Sequence, residues 1–561
     1  MSMIADITAR SATELRRELP DPRRRFPIID ARRLSQLLLA LLALLIVATF
    51  ADYGVSWDER VQNTYGLRLL SYYLTAFRDQ SAFHYINLRY YGGAFDLIAA
   101  ALNTVSPFGE YETRHLLGGA VGFVGTIGAW RLARLMAGER AGLFVVALMA
   151  LTPLIYGHSF INPKDAPFAC AVMWSIYYSC RAIVEAPHPK RGTAIGLGVA
   201  LGLALGTRVV AVIALLYCVP AFVAYTIGRY RESRSVRVVL NEQRSFFGAL
   251  LPAVPIILIF TALFWPWVVQ APGNLPTALR LFAHFPWQGQ VLFDGHLYPA
   301  DKLPAVYLPK LIALQLPEVA LFGLLAAAVF IVRAAVERGW RSLTDPRSLC
   351  YSVVIAAALV PLVHFVVTRP IVYNGIRHYL FMVPPLIVLA GIGLDQTYAL
   401  LRARGEWLSR GYAALLTVAA AVQIVIMVEL HPYEYIYYNA FAGGVTGAAG
   451  RYDLDYWGLS LAEATRDLER VVANEQATTN ANGSAEARAH SVYVCGDKES
   501  ATYFFDPASR LHYTDVPSQA DYAVGIRGAE CSWEIGGRVL AEVKRGGALL
   551  SYATDLRSRK S

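Results

Sequence analysis

The chain has 561 residues, of which 55% are hydrophobic and only 17% are charged, with a formal net charge of +9. A soluble enzyme of this length carries more charge, so the composition excludes an ordinary soluble protein and favours a membrane protein. The positive charge does not indicate a nucleic-acid partner, because the arginines stand in short blocks between apolar runs, as in membrane proteins whose orientation they set.

The first 33 residues are polar and contain arginine blocks at 23–25 and 32–33. They are too long and too charged for the first part of a cleaved signal peptide. We therefore expect a cytoplasmic tail, residues 1–33, followed by a retained helix. The first membrane-length apolar run covers about Leu34 to Phe50.

About eleven apolar runs of this kind predict an all-α polytopic membrane domain over residues 34–430. Under this scheme every strong arginine block falls on the cytoplasmic side, and the outer loops are residues 53–113, 157–166, 268–310 and 368–378. The later predicted spans are about 115–135, 141–156, 167–178, two short spans between 193 and 228, 247–267, 311–332, one ending before Arg369, 379–394 and 412–428.

The apolar stretch from Gly92 to Val105 decides the topology. It is short for a span and contains Asp96, so we expect a helix lying in the membrane interface. If it crossed the membrane, the later loops would invert and the arginine pattern would be lost.

Residues 431–561 are expected to form a separate small α/β domain outside the membrane. A helix is predicted over about Ser460 to Asn474, followed by the small-residue tract ATTNANGSAEARA. The runs SVYVCG, DYAVGI, RVLAEV and ALLSYA predict strands. Cys495 and Cys531 lie in this domain, and an oxidising compartment would permit a disulfide between them.

The first candidate catalytic residues are the acidic pair Asp58 and Glu59, just past the end of the first apolar run. They could be a solvated pair or helix-terminal acids that compensate the helix dipole. They could also supply a carboxylate base, since a nucleophilic hydroxyl needs one within hydrogen-bond reach. The predicted topology places them on the outer surface.

A further acid, Asp165, stands in the polar loop INPKD between two apolar runs. It precedes Pro167 at the start of a predicted helix, so an N-cap role and a functional role are both open. The topology brings this loop to the same face as Asp58.

Several cationic residues are predicted at outer span ends, where positive charge runs against the orientation rule. They are Lys164, Arg208, Lys302, Arg369 and Arg377. Their side chains could snorkel to lipid phosphates. Alternatively they form a cluster that binds an anionic leaving group, since guanidinium matches phosphate oxygens.

The outer loop 268–310 is rich in aromatic and polar residues. It contains His284, Trp287, Asp294, His296, Tyr298 and Lys302. Aromatic rings beside polar groups suit sugar or headgroup binding, and they also suit an interfacial belt. His284, Asp294 and His296 could hold a metal, but their spacing fits no established signature.

Taken together, these motifs resemble the GT-C superfamily of membrane glycosyltransferases, and within it the bacterial branch similar to protein O-mannosyltransferases and lipid A aminoarabinose transferases. The resemblance is carried by WDE after the first span, NPKD after the third, GTR after the fifth, NGIRHYLFMVPPL before the tenth, and HPYEYIYYN with DYWG after the last. Arg377-His378 replaces the Arg-Tyr frequent in the wider superfamily.

The resemblance implies sugar transfer, with inversion, from a polyprenyl-phosphate donor to a hydroxyl acceptor on a lipid, a glycan or a protein. It implies Asp58, Glu59 and Asp165 as catalytic acids, with Asp58 as the base, and Arg208, Arg377, Lys302 and Lys164 as ligands of the donor phosphate. Residues expected to line the substrates are Trp57, His284, His296, Tyr298 and His378. Neither a metal nor another cofactor is expected.

Three other functions fit parts of the pattern. A secondary transporter would place its charges near the bilayer midplane, whereas these charges lie at span ends. A polymerase or ligase of lipid-linked glycans would use outer arginines but needs no acid beside the first span. A non-enzymatic scaffold would need none of the acids. We expect the protein in the bacterial cytoplasmic membrane, with its C-terminal domain in the periplasm.

Overall fold

The computed structural model describes residues 30–283, 285–481, 489–528, 531 and 536–559. Within these residues, helices build the membrane domain, and a five-stranded sheet with flanking helices builds the C-terminal part. The predicted class, an all-α membrane domain followed by a small α/β domain, is confirmed. Most of the predicted N-terminal tail lies outside the described residues.

The helices of the membrane domain differ widely in length. In chain order they are α1 Ala31–Thr49, α2 Trp57–Leu74, α3 Ala94–Asn103, α4 Glu110–Ala137, α5 Glu139–Ala150, α6 Pro153–Ile161, α7 Asp165–Val184, α8 Arg191–Leu205, α9 Ile213–Leu216, α10 Val219–Ser233, α11 Val236–Leu250, α12 Ala253–Phe264, α13 Pro266–Gln270, α14 Asn274–Ala283, α15 Tyr307–Gln315, α16 Glu318–Arg338, α17 Pro346–Thr368, α18 Val383–Arg404 and α19 Glu406–Leu430.

By length and apolar composition, seven helical segments of the described chain can cross a membrane. They are Ala31–Thr49, Glu110–Ala137, Val209–Ser233, Glu318–Arg338, Pro346–Thr368, Arg377–Arg404 and Glu406–Leu430. Two bent pairs, α5 with α6 at 61° and α11 with α12 at 40°, raise the number to nine if each pair is one span. The chain is therefore a multi-pass membrane protein.

The predicted number of about eleven spans is corrected to between seven and nine by these criteria. The other two predicted spans correspond to α7, with 20 residues, and α8, with only 15. The expected start of a span at residue 311 is also wrong, because α15 ends at Gln315 and a new helix begins at Glu318. Pro317 separates them, since proline cannot donate the backbone hydrogen bond of a helix interior.

Helix α3 covers ten residues of the stretch predicted to lie in the interface. At 1.5 Å per residue it is about 15 Å long, half of the hydrocarbon thickness. Its Asp96 is buried and accepts a hydrogen bond of 2.7 Å from Arg114 of α4. This ion pair ties α3 to the long helix beside it.

The C-terminal part contains the predicted sheet and one strand that the sequence analysis missed. Its elements are α20 Gly444–Ala448, α21 Leu461–Ala481, β3 His490–Cys495, α22 Lys498–Thr502, β4 Leu511–Thr514, β5 Tyr522–Ile526, β6 Arg538–Arg545 and β7 Ala548–Asp555. The strand order is β4-β3-β5-β7-β6, with β3 parallel to both neighbours and β7 antiparallel to both of its own. Cys495 and Cys531 form a disulfide.

The missed strand, β4, has only four residues with a single buried side chain, too few for an alternating pattern to show. Helix α21 runs seven residues past the predicted end, into the small-residue tract. The outer loop of the membrane domain forms a separate hairpin of β1 Gln290–Phe293 and β2 His296–Pro299.

The C-terminal part is attached to the membrane domain through His431, which follows α19. Its Nδ1 lies 2.7 Å from a carboxylate oxygen of Glu434, and its Nε2 lies 3.0 Å from one of Asp52. Carboxylates only accept hydrogen bonds, so both ring nitrogens must carry a proton for both bonds to form. Burial lowers the pKa of His431, but the two carboxylates outweigh it and the pKa lies above its ordinary value.

We expect His431→Gln to lower the unfolding temperature by about 2 °C at pH 6 and by less at pH 9. A raised pKa means that the stabilisation is complete below the ordinary histidine pKa and is lost as the pH rises through the folded-state pKa. Thermal unfolding in detergent at a fixed scan rate measures the difference. His512→Gln on exposed β4 is the control, and an equal loss at both pH values for His431→Gln would contradict the ion-pair interpretation.

Candidate active site

Four distant segments bring two acids and three cations together at one end of the helical domain. We call Asp58, Lys164, Asp165, Arg208 and Arg377 the charged cluster. One Nη of Arg377 lies 2.7 Å from Asp58 Oδ2 and 3.8 Å from Asp165 Oδ2. Arg208 Nη2 lies 2.5 Å from the other oxygen of Asp165. Asp58 and Asp165, predicted to share one face, therefore contact the same guanidinium.

The two acids of the charged cluster differ in accessibility. The side chain of Asp58 is 38% exposed, whereas that of Asp165 is only 2% exposed. A group that takes a proton from an incoming substrate must be reachable by that substrate. Asp58 meets this requirement, and Asp165 is placed to hold the two arginines.

Asp58 is positioned by the start of α2. Its neighbour Glu59 accepts a hydrogen bond of 2.8 Å from the backbone N–H of Ser56, which closes the first turn of the helix. The other oxygen of Glu59 lies 3.0 Å from Nε2 of His115 on α4, and both side chains are buried. The contacts of Glu59 therefore fix the helix terminus, while the next residue upstream, Asp58, faces the cations.

Asp165 is the first residue of α7 but does not cap it. The N-cap position belongs to Lys164, whose side chain makes no capping hydrogen bond. The side-chain oxygen of Asn162 accepts hydrogen bonds from the backbone N–H groups of Lys164 at 3.3 Å and Asp165 at 2.8 Å. The amide nitrogen of Asn162 donates to Asp165 Oδ2 at 3.1 Å. The carboxylate is thus held in one orientation and remains available to the arginines.

Lys164 lies beside Asp165, with its ammonium nitrogen 3.4 Å from the ring centre of Tyr91. Burial lowers the pKa of Lys164 to about 7, a decrease that Arg208 reinforces and Asp96, Asp58 and Asp165 oppose. Near neutral pH its charge therefore responds to small changes in its surroundings.

Tyr91 reaches the charged cluster because two glycines follow it. The N–H of Ala94 donates to the carbonyl of Gly206 at 3.0 Å, so the two chain segments touch. A Cβ atom at Gly92 would lie 2.0 Å from that carbonyl oxygen, which no side chain could tolerate. The sequence analysis missed Tyr91, although Tyr-Gly-Gly was a signal for close backbone approach.

Aromatic rings surround the guanidinium of Arg377. The ring centre of Tyr373 lies 4.9 Å from it and that of Trp457 lies 5.2 Å from it. Trp287, from the outer loop, stacks on Tyr373 at 4.1 Å. The ring of His378, predicted to line the substrates, packs edge-on against Tyr373 at 4.8 Å.

Trp57, also predicted to line the substrates, is half-buried and donates its backbone N–H to the carbonyl of Trp457 at 3.2 Å. It therefore joins the start of α2 to the C-terminal part. This hydrogen bond holds the residue before Asp58 next to the DYWG segment.

The other predicted residues of the outer loop are not joined to the charged cluster by any contact seen in the described chain. Lys302 and His296 are exposed, and Tyr298 packs against the rings of Phe293 and His296. Their predicted substrate contacts stay predictions. His284 lies outside the described residues.

Asp294, weighed as a metal ligand, instead fastens the hairpin. Its carboxylate pairs with Lys310 and accepts hydrogen bonds from Arg451 at 2.9 Å and Tyr452 at 3.0 Å. The bonds from Lys310 and Arg451 lower the pKa of Asp294 to about 2. Over the described residues, no group of three or more His, Cys, Asp or Glu side chains is arranged to hold a metal ion.

A cavity of about 660 Å³ lies away from the charged cluster, between α7, α8, α10, α11 and α17. On α7 its lining begins at Ser175, ten residues or about 15 Å along the helix from Asp165. Arg229 lies at its polar rim, paired with Glu232 and Glu242. The cavity is therefore not part of the charged cluster.

Residues 108–267 match the model of the family described as dolichyl-phosphate-mannose-protein mannosyltransferase. The matched segment includes the NPKD and GTR motifs, and over this segment the predicted resemblance to protein O-mannosyltransferases is confirmed. Asp58 and Arg377 lie outside it. No curated protein sequence matches the chain.

Solved structures with a similar arrangement include ArnT from Cupriavidus metallidurans in the apo state, with 13% identity and a TM-score of 0.45. The likeness covers 92% of this chain and 97% of that one. The structure of the same protein bound to undecaprenyl phosphate has 12% identity and a TM-score of 0.44, again over 92% of this chain and 97% of that one. A further similar structure is the archaeal oligosaccharyltransferase AglB from Archaeoglobus fulgidus in complex with an inhibitory peptide and a dolichol-phosphate. Its sequence identity is 12% and its TM-score is 0.45, over 88% of this chain and 69% of that one.

Proposed function

We propose that the protein transfers a sugar from a polyprenyl-phosphate-linked donor to a hydroxyl acceptor at the outer face of the bacterial cytoplasmic membrane. The observation that carries this proposal is the contact of one Arg377 nitrogen with both Asp58 and Asp165, at 2.7 and 3.8 Å. This contact joins a solvent-accessible carboxylate to a cluster of cations whose chemistry is suited to phosphate. The family match over residues 108–267 supports a lipid-phosphate sugar as donor.

In the proposed reaction, the acceptor oxygen attacks the anomeric carbon of the donor sugar. The bond from that carbon to the phosphate oxygen breaks, and the acceptor hydroxyl gives its proton to Asp58. Attack opposite to the leaving phosphate inverts the anomeric carbon. A positioned carboxylate base contributes about 10²- to 10⁴-fold to such a step.

The lipid phosphate that leaves gains negative charge as the bond breaks. Arg208, Arg377 and Lys164 are the cations placed to stabilise it, against the two carboxylates of the charged cluster. With Lys164 protonated, three positive and two negative groups give a net charge of +1, which suits the single negative charge of a phosphodiester donor. Fixed charges in a site that excludes water stabilise developing charge more strongly than water does.

Arg377 donates a hydrogen bond of 2.7 Å to Asp58 Oδ2. A guanidinium carries five N–H donors, so the donor phosphate can take up some of them. We infer that phosphate binding shifts Arg377 away from Asp58 Oδ2 and frees that oxygen for the acceptor proton. The donor would then bind before the acceptor.

Mass spectrometry of envelope glycolipids and glycoproteins from cells with and without this protein tests the proposed function. Loss of one pentose or hexose from an envelope component, restored by the wild-type gene, is the expected result. Purified protein in lipid vesicles should then transfer that sugar from a synthetic polyprenyl-phosphate donor. Movement of the intact donor across the vesicle membrane without sugar transfer would indicate a transporter instead.

The KM for the donor should rise about tenfold between pH 6 and pH 9. Lys164 must be an ammonium to hold the phosphate, and with its pKa lowered to about 7 it loses that charge as the pH rises through this range. The donor phosphodiester keeps its single charge over the same range, so the change comes from the protein.

Lys164→Arg is the matched variant, because a guanidinium stays charged at every pH used. Its donor KM should be nearly constant from pH 6 to pH 9. A wild-type pH profile that Lys164→Arg reproduces unchanged would exclude Lys164 as the titrating group.

A further inference from the structure

The Asp-Tyr-Trp-Gly segment at 455–458 is not used in the proposed reaction, yet Trp457 lies against Arg377 and Tyr456 is connected to Asp165 by a chain of hydrogen bonds. The indole of Trp457 is 1% exposed and lies 5.2 Å from the Arg377 guanidinium. Tyr373 lies 4.9 Å from the same group. A guanidinium over aromatic rings in a desolvated setting is held by cation–π attraction.

Trp457 is itself held rigidly. The preceding Asp455 carboxylate is buried and accepts hydrogen bonds from the backbone N–H groups of Leu459 and Ser460, both at 3.0 Å, and from the hydroxyl of Tyr435. The carbonyl of Trp457 accepts the N–H of Trp57, the residue before Asp58. The indole thus has a fixed position relative to both Asp58 and Arg377.

Tyr456 reaches Asp165 through two buried side chains. Its hydroxyl lies 3.3 Å from His158 Nε2, and His158 Nδ1 lies 3.2 Å from the Asn162 amide nitrogen, which donates to Asp165 Oδ2. The Asn162 nitrogen is a donor, so His158 Nδ1 accepts, and Nε2 carries the proton that the Tyr456 oxygen accepts. The segment therefore orients the second acid as well.

We propose that Trp457 is a positioning residue for Arg377, so that the C-terminal part completes the active site and is not a separate binding domain. This inference rests on the proposed function, because it assigns Arg377 to the donor phosphate. Without the indole, the guanidinium of Arg377 keeps its charge but loses the ring that holds it in the orientation needed to contact both carboxylates and the phosphate.

The test measures equilibrium binding of polyprenyl phosphate, without sugar, to the full-length protein in lipid vesicles. We expect Trp457→Leu to weaken binding about tenfold, and Trp457→Phe, which keeps a ring, to weaken it by less. Tyr433→Leu is the matched control. Tyr433 is a buried aromatic in the same part of the chain, with a guanidinium 4.9 Å away that belongs to Arg545, so its loss should leave phosphate binding unchanged.

A double-variant cycle separates positioning from general loss of structure. In the Arg377→Gln background, Trp457→Leu should weaken binding less than twofold, because the residue it positions is gone. An undiminished tenfold effect in that background, or unchanged binding in Trp457→Leu alone, overturns the proposal. Failure of the proposed function gives a different result. The wild-type protein and the variants would then bind polyprenyl phosphate with the expected differences in affinity, but the wild-type protein would transfer no sugar from any donor.

Discussion

Asp58→Asn should lower the rate of sugar transfer by at least about 10²-fold, and up to 10⁴-fold, while the protein still inserts into the membrane. The amide keeps the size of the carboxylate and can still accept the hydrogen bond of 2.7 Å from Arg377. It cannot take the acceptor proton. The measurement is transfer from a synthetic polyprenyl-phosphate sugar to the acceptor in vesicles that contain equal amounts of folded protein.

Asp301→Asn is the matched control, since Asp301 is an exposed acid in the outer loop. It should transfer sugar at the wild-type rate. Asp58→Glu keeps a carboxylate at a shifted position and should retain more activity than Asp58→Asn. If Asp58→Asn transferred sugar at the wild-type rate, Asp58 would not be the base.

Arg377→Gln should lower kcat by about 10²- to 10³-fold, the loss typical of removing a group that stabilises transition-state charge. Arg377 is buried and contacts both acids, so no other described cation is placed to replace it at Asp58. Binding of polyprenyl phosphate should weaken as well. Single-turnover transfer and equilibrium binding measure the two effects separately.

Arg369→Gln is the control for Arg377→Gln, because Arg369 is exposed and stands only eight residues earlier. It should change neither kcat nor binding by more than about twofold, as expected for an exposed charge. Arg377→Lys should recover only part of the activity, because an ammonium cannot bridge two carboxylates and a phosphate in the way a planar guanidinium can. Equal losses in Arg369→Gln and Arg377→Gln would indicate a general surface-charge effect.

Short-range patterns were enough to predict the membrane class and the C-terminal sheet. They also predicted that Asp58, Asp165 and Arg208 lie at the ends of apolar runs. Long apolar runs indicate membrane spans, and the polar residues between them indicate loops. The number of spans was overestimated because the helix at Arg191–Leu205 is apolar but short for a crossing, and the helix at Asp165–Val184 is long enough but not sufficiently apolar.

Glu59 and Lys302 show that the partners of a charged side chain depend on the tertiary structure. Adjacent acids at a helix start look equivalent in sequence, but the helical turn sends Asp58 toward the cations and Glu59 toward the backbone of Ser56. The hairpin places Lys310, which the sequence analysis did not single out, against Asp294 and leaves Lys302 exposed. The partner that each of two neighbouring charged residues contacts depends on the direction of its side chain, and the spacing of residues in the sequence does not specify that direction.

The amino-acid pattern alone is enough to identify a multi-pass membrane protein with acids and arginines at the ends of its apolar runs, because burial in lipid imposes length and polarity on every span. The contact of Arg377 with Asp58, 319 residues away, and the position of Trp457 against the same guanidinium follow from the folded arrangement of the chain. Pairings of this kind depend on how helices from distant parts of the chain pack, and no local preference of the residues specifies them.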